Sequence, residues 1–238
     1  MSRIPALLLA PVVLRQAARL RTDVPRLPEA HGAKDGLIPG ASDAASAMPH
    51  PLRLLVVGDS TAMGTGVGVL DDALPGRLAR LLAGTRAGAS GVAWRAVGRS
   101  GATSTRVLTD FADAAVAVHF DVAVVLAGWN DAVQLRSARE FARSLGALLG
   151  RLHEGSPDAR LLVVAPPEFW HFAVLPNPLR WALGFHARGL TRTSARVARE
   201  RGAVTAPGFD GGAVASDRFH PNGVGYQRLA EGIAAALA

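Results

Sequence analysis

Cysteine is absent from the 238-residue chain. That excludes disulfides, thiolate nucleophiles, zinc ribbons and Cys-ligated iron–sulfur clusters together, and leaves the redox compartment open. Long apolar runs are also missing. The longest covers about a dozen residues, against the ~20 that a membrane-spanning helix needs, which excludes a polytopic membrane protein. Lysine occurs once, at Lys34, and tyrosine once. Acidic residues are outnumbered, 19 against 26 basic ones, giving a net charge of +7 and a pI near 11.3. Such a balance points first to nucleic acid or anionic lipid. The arginines are scattered, however, and the few aromatics offer no platform for base stacking. Nucleic acid is not an expected partner. What is present, 49% apolar and 19% charged residues, is the composition of a globular domain able to bury a sizeable core.

The first 50 residues differ from the rest. Residues 1–14 read MSRIPALLLAPVVL, Arg3 and then an apolar stretch, followed by Arg15, Arg19, Arg21 and Arg26. Arg15 and Arg19 would share a helical face, and Pro25 ends any helix there. Residues 27–51, rich in Pro, Gly, Ala, Ser and Asp, read as a linker. Three readings of the opening segment stand side by side. One is a secretory signal within residues 1–18, with Arg3 as n-region; Arg15 and Arg19 then follow too soon, and Ala45-Ser46-Ala47 stands too late for a cleavage site. Another is an interfacial helix laying residues 1–24 on an anionic membrane. The third is a helix packed on the domain's own surface. The expected location is cytoplasmic or peripheral to a membrane, with secretion as the alternative.

From residue 52 the pattern becomes regular. Residues 52–57 (LRLLVV), 92–97, 122–126 (VAVVL), 161–164 (LLVV) and 203–206 are apolar runs of strand length, several stopped by glycine or proline. Between them, Leu74, Leu78, Leu81 and Leu82 recur at helical spacing. Ser137 and Glu140 form a capping box before Phe141, Leu145, Leu148, Leu149 and Leu152. Residues 180–201 and 224–238 read as two further helices. Strands apolar almost throughout, alternating with amphipathic helices, predict a parallel sheet covered on both faces. The expected fold is one doubly wound, three-layer α/β domain over residues 52–238, preceded by a helical segment and linker over 1–51.

In such sheets ligands bind beyond the carboxyl ends of the strands. Gly58-Asp59-Ser60-Thr61 follows the first strand, Arg99-Ser100-Gly101-Ala102-Thr103 the second, Gly128-Trp129-Asn130-Asp131 the third. Ser216-Asp217-Arg218-Phe219-His220-Pro221 precedes the last helix. Each alone reads as a turn, a cap or a surface histidine. Their order changes the odds: serine, glycine, asparagine, then Asp-x-x-His. The G-x-S-x-G elbow, a Walker lysine and H-E-x-x-H are all absent. Near Gly64 a dinucleotide fingerprint fails, because Val69 stands where the third glycine belongs.

That constellation resembles the SGNH (GDSL-type) hydrolase superfamily over residues 52–238. The resemblance implies Ser60 as nucleophile, His220 as base and Asp217 as its orienter. It also implies an oxyanion hole from the backbone N–H groups of Ser60 and Gly101 and the side-chain amide of Asn130. Asp131 reads as a loop brace. No metal and no cofactor are expected. Thr61 departs from the family's leucine, Ala102 from its frequent acid, and Trp129 from a smaller residue, which bears on acyl-site shape. Phe169, Trp170 and Phe172 follow the strand at 161–164 and are expected, with Trp129, to wall a substrate pocket. His171 and His186 read as bystanders.

The implied activity is hydrolysis of carboxylic esters of an apolar acyl, aryl or lysophospholipid-like kind, through an acyl-enzyme on Ser60. Carbohydrate O-deacetylation or acyl transfer on the same triad are the alternatives. A membrane-surface binding protein with a vestigial site is the non-enzymatic one. Since residues 1–47 hold none of these side chains, their deletion is expected to leave turnover of soluble esters unchanged.

Overall fold

The computed structural model describes residues 10–40, 50–85 and 87–238. Arg3, most of the apolar stretch of the signal reading and Ala45-Ser46-Ala47 lie outside them. The strands are β1 (Asp35–Ile38), β2 (Leu52–Gly58), β3 (Val92–Gly98), β4 (Val122–Leu126), β5 (Arg160–Val164) and β6 (Val204–Ala206). They form one sheet in the order β1-β3-β2-β4-β5-β6. β2 to β6 run parallel, while β1 pairs antiparallel with β3. The helices are α1 (Ala10–Asp23), α2 (Leu74–Ala83), α3 (Ser104–Arg106), α4 (Ala112–Val116), α5 (Trp129–Val133), α6 (Ala138–Gly155), α7 (Leu179–Glu200) and α8 (Gly223–Leu237).

Successive residues of a strand point to opposite faces, and both faces are covered here. Leu54, Val56, Val124 and Val164 pack with Leu74, Leu78, Leu229 and Ile233 of α2 and α8. Leu55, Val57, Val125 and Val163 pack with Phe141, Leu145 and Leu149 of α6 and Leu190 of α7. Two dry faces explain why the central strands read as unbroken apolar runs. α6 starts where expected, with Ser137 Oγ accepting the Glu140 N–H at 3.1 Å. The other half of the capping box is not made, because the Glu140 carboxylate pairs with Arg136 at 3.2 Å. From β2 the chain winds first to β3 and then back across β2 to β4. The crevice at that reversal lies between the loops carrying Ser60 and Asn130, which is where a doubly wound sheet binds its ligand.

The linker reading of residues 27–51 is corrected in part. Asp35–Ile38 form β1, in register with Arg95, Trp94, Ala93 and Val92 of β3. Just upstream, Ala30 N–H donates to Met63 O at 3.1 Å, and His31 exchanges backbone bonds with Gly68 and Leu70 at 2.9 and 2.8 Å. This stretch is a strap laid over the loop that follows β2. Of the opening segment, residues 10–23 form a helix docked on the domain: Val13, Ala17 and Leu20 of α1 pack on the α6–α7 core. Gln16 clips it to the start of α7, donating to Asn177 O at 2.7 Å and accepting from Leu179 N at 3.1 Å. Arg15 and Arg19 are exposed.

Candidate active site

Ser60 stands two residues past the end of β2, on a turn that its neighbours hold. Asp59 Oδ1 accepts the Thr61 N–H at 3.0 Å, and Ser60 O accepts the Thr65 N–H at 3.0 Å. His220 arrives from the far end of the chain on a self-bonded loop. Ala215 N–H donates to His220 O at 2.8 Å, and Asn222 N–H to Ala213 O at 3.0 Å. Within it Asp217 Oδ1 accepts the N–H groups of Phe219 and His220, both at 3.0 Å. Its Oδ2 lies 2.5 Å from His220 Nδ1, and His220 Nε2 lies 2.9 Å from Ser60 Oγ. Gly66 permits this approach: a Cβ there would sit 2.3 Å from Pro221 O. Burial alone would raise the Asp217 pKa, but the bonds from the His220 ring and the two backbone N–H groups outweigh it and hold the carboxyl below its ordinary range. The geometry is serine, imidazole and carboxylate in line, with the imidazole oriented by the carboxylate.

Gly101 occupies the third position of a turn closed by Ala102 N–H to Arg99 O at 3.2 Å. Its φ of +82° is the left-handed value that a type II turn requires there. Asn130 lies at the start of α5, after β4. Its Nδ2 donates to Ala102 O at 3.0 Å and lies 3.4 Å from Asp59 Oδ2. The amide thus joins the serine turn to the glycine turn. Asp131 is buried and accepts both the N–H and the hydroxyl of Ser104, at 2.9 and 2.6 Å. It braces the start of α3.

A small cavity of about 40 Å³ opens beside Ser60 and His220. Among the residues that line it are Trp129, Pro166, Pro167, Phe209 and Phe219, with Leu126 and Val164. The expected wall is corrected here. Phe169 and Phe172 are fully buried, and neither they nor Trp170 line the cavity. Phe169 stacks on Trp129 at 4.6 Å between ring centroids, and Phe172 meets it edge-on at 5.0 Å. They stand behind the wall. Trp170 turns away, packing edge-on against Phe185 at 5.0 Å with Arg188 over its ring. Pattern reading finds aromatics after a strand, but not which way a short 3₁₀ turn (Phe169–His171) aims them. Phe219 was within reach of sequence reasoning, since it lies inside the Asp217–His220 block. Phe209 carried no such signal. Asp59 was also passed over. It is buried beside Ser60, and burial raises its pKa to about 6 against the hydrogen bond from the Thr61 N–H.

Residues 56–228 match the GDSL-like Lipase/Acylhydrolase family, a span that includes all four motifs. This chain belongs to the GDSL-like lipase/acylhydrolase family. It is accordingly an ester-hydrolysing enzyme. The GDSL-like esterase Rv1075c of Mycobacterium tuberculosis is 28% identical over 244 residues, which cover 95% of this chain and 76% of the relative. The lipase/acylhydrolase from Enterococcus faecalis aligns with a TM-score of 0.58 at 18% identity, over 76% of this chain and 93% of that one. Axe2, an acetylxylan esterase from Geobacillus stearothermophilus, aligns at 0.57 and 17% identity, over 79% and 95%. Likeness at those identities attests the shared fold. Of Thr61, Ala102 and Trp129, the first and last line the cavity.

Proposed function

We propose that this enzyme hydrolyses carboxylic esters of short acyl groups through an acyl-enzyme on Ser60. The observation that carries the reading is the 2.9 Å contact between Ser60 Oγ and His220 Nε2, with Asp217 on the other ring nitrogen. In this mechanism His220 takes the serine proton as Oγ attacks the ester carbonyl. The tetrahedral oxyanion is met by the N–H groups of Ser60 and Gly101 and the amide of Asn130, each worth ~3–4 kcal/mol of transition-state stabilisation. Collapse expels the alcohol, which leaves with the proton from His220. Water then repeats the sequence on the acyl group.

A cavity of about 40 Å³ is a few times the space one water needs, and far below the ~300–1,000 Å³ of sites that engulf drug-sized ligands. Its size favours an acetyl- to butyryl-sized group over the long chain of a lysophospholipid. The same smallness favours carbohydrate O-deacetylation as the second reading. A panel of p-nitrophenyl esters from acetate to octanoate, run beside acetylated xylan, tests both. The highest kcat/KM is expected at two to four carbons, and Ser60→Ala should abolish turnover. A preference for octanoate would overturn the short-acyl assignment. Acetate released from xylan faster than from the aryl ester would establish the deacetylase.

A further inference from the structure

The peptide that offers the Gly101 N–H is the central one of a β-turn. Where that N–H points depends on how the Arg99–Ala102 turn is seated beside the loop of Ser60. Gly101 itself is exposed, and a Cβ there would meet nothing within 4 Å. Packing on Gly101 therefore does not hold the turn in place. Bonds to its neighbour do. Ser100 N–H donates to Glu29 Oε1 at 2.7 Å, and Ser100 Oγ lies 2.7 Å from Thr65 Oγ1. Thr65 is itself held, its N–H on Ser60 O and its carbonyl on the Tyr226 hydroxyl at 2.8 Å. Glu29 is the one member of this network contributed from outside the family-matched residues 56–228. It is fixed by the strap that follows it. Ala30 and His31 are bonded to the loop after the nucleophile, and Lys34 O accepts the Ala96 N–H of β3 at 2.7 Å.

We propose that Glu29 is a positioning residue for catalysis: by holding the Ser100 N–H, on the peptide just before the donor, it anchors the Arg99–Ala102 turn beside the loop of Ser60 so that the Gly101 N–H is presented to the acyl oxyanion. This rests on the oxyanion role given above to Gly101. A short carboxylate-to-amide bond is among the stronger hydrogen bonds a backbone makes. It is directed at the residue that immediately precedes the Gly101 donor. The strap is thus part of the catalytic apparatus, although it reads as linker.

The experiment compares wild type, Glu29→Ala, Glu29→Gln and Glu29→Met on p-nitrophenyl acetate, with Ser60→Ala as the control for the reading beneath. Glu29→Ala should lower kcat about 10- to 100-fold, less than the ~10²–10³ seen when a donor is lost outright, with KM changed less than about twofold. Phosphonylation of Ser60 by a fluorophosphonate, whose tetrahedral adduct needs the same donors, should slow in parallel. Glu29→Gln keeps an acceptor oxygen at the same reach and should recover most of both rates. Glu29→Met keeps the stem without the acceptor, should behave as alanine does, and carries the test if the alanine variant does not fold. Wild-type kcat in Glu29→Met, or a loss in Glu29→Gln equal to that in Glu29→Met, would overturn the proposal. Undiminished turnover in Ser60→Ala would instead overturn the active-site reading itself.

Discussion

Asp217 makes three short contacts, two to backbone N–H groups and one to the His220 ring. Its pKa is lowered on folding, so the stability it contributes is present above the ordinary carboxylate range and is lost as pH falls through the lowered value. Asp217→Asn can still accept from the backbone, but an amide no longer favours the imidazolium. The expected outcome is a fall in kcat of ~10⁴ with the fold retained, measured by steady-state kinetics beside thermal unfolding. A variant with more than a tenth of wild-type kcat would show that another carboxylate orients the histidine. Asp59 has the opposite sign. Its pKa is raised to about 6 by burial, so the folded state is favoured while it is protonated and loses that advantage as pH rises from about 4 through 6. Asp59→Asn carries no such penalty and can keep the Thr61 N–H bond. Relative to wild type, it should gain on the order of 2–3 kcal/mol between pH 4 and pH 7, read from urea unfolding at the two pH values. A pH-independent difference would show that Asp59 is not the group that titrates.

At the scale of elements, the central strands β2, β4 and β5 were legible because they are largely buried on both faces and are soon followed by glycine or proline. β1 was not. Asp35–Ile38 is four residues long, lies at the sheet edge, alternates exposed with half-buried positions, and sits in a segment whose composition signals a linker. The triad was legible as motifs, whereas Glu29 belongs to no motif and is brought to Ser100 only by the strap. This changes the expectation for truncation. Removing residues 1–26 strips α1 from the core and should lower the unfolding midpoint while kcat stays near wild type. Removing residues 1–40 also takes Glu29 and β1, and kcat should fall at least as far as in Glu29→Met. Equal kcat in both truncations would return the strap to the role of a passive linker. The aromatic wall divides in the same way. Trp129 faces the cavity and Phe172 supports it from behind. Trp129→Ala should raise kcat/KM for longer esters relative to acetate, since each methylene newly buried is worth ~0.8 kcal/mol, or about fourfold. Phe172→Ala should chiefly cost stability, about 3–5 kcal/mol. A Trp129→Ala enzyme with unchanged chain-length preference would place the acyl group outside this cavity.

Across the whole molecule the arginine excess is the feature that catalysis does not use. No helix among the described residues is long and apolar enough to cross a membrane. The exposed Arg15 and Arg19 of α1, beside exposed Val12 and Leu14, leave surface association as the membrane reading to test. The full chain should sediment with anionic vesicles at low salt, and release as rising salt screens those charges. Arg15→Glu with Arg19→Glu should weaken the binding without touching kcat. Sedimentation that ignores both salt and the charge reversal would remove the interfacial role.

The separation of the triad along the chain has a consequence for biosynthesis. Ser60 and His220 are 160 positions apart, yet bonded at 2.9 Å. On the proposed mechanism the nucleophile is therefore translated long before the base that activates it. An incomplete nascent chain would then carry a serine with no proton acceptor and be inert toward the esters around it. Activity is expected only once the loop of His220 docks against Gly66 and Tyr226 of α8 bonds Thr65 O. Those contacts join the loop after the central strand β2 to the C-terminal helix, so in denaturant the loss of turnover should coincide with the loss of the whole fold. In this enzyme, catalysis serves as its own certificate of completed assembly.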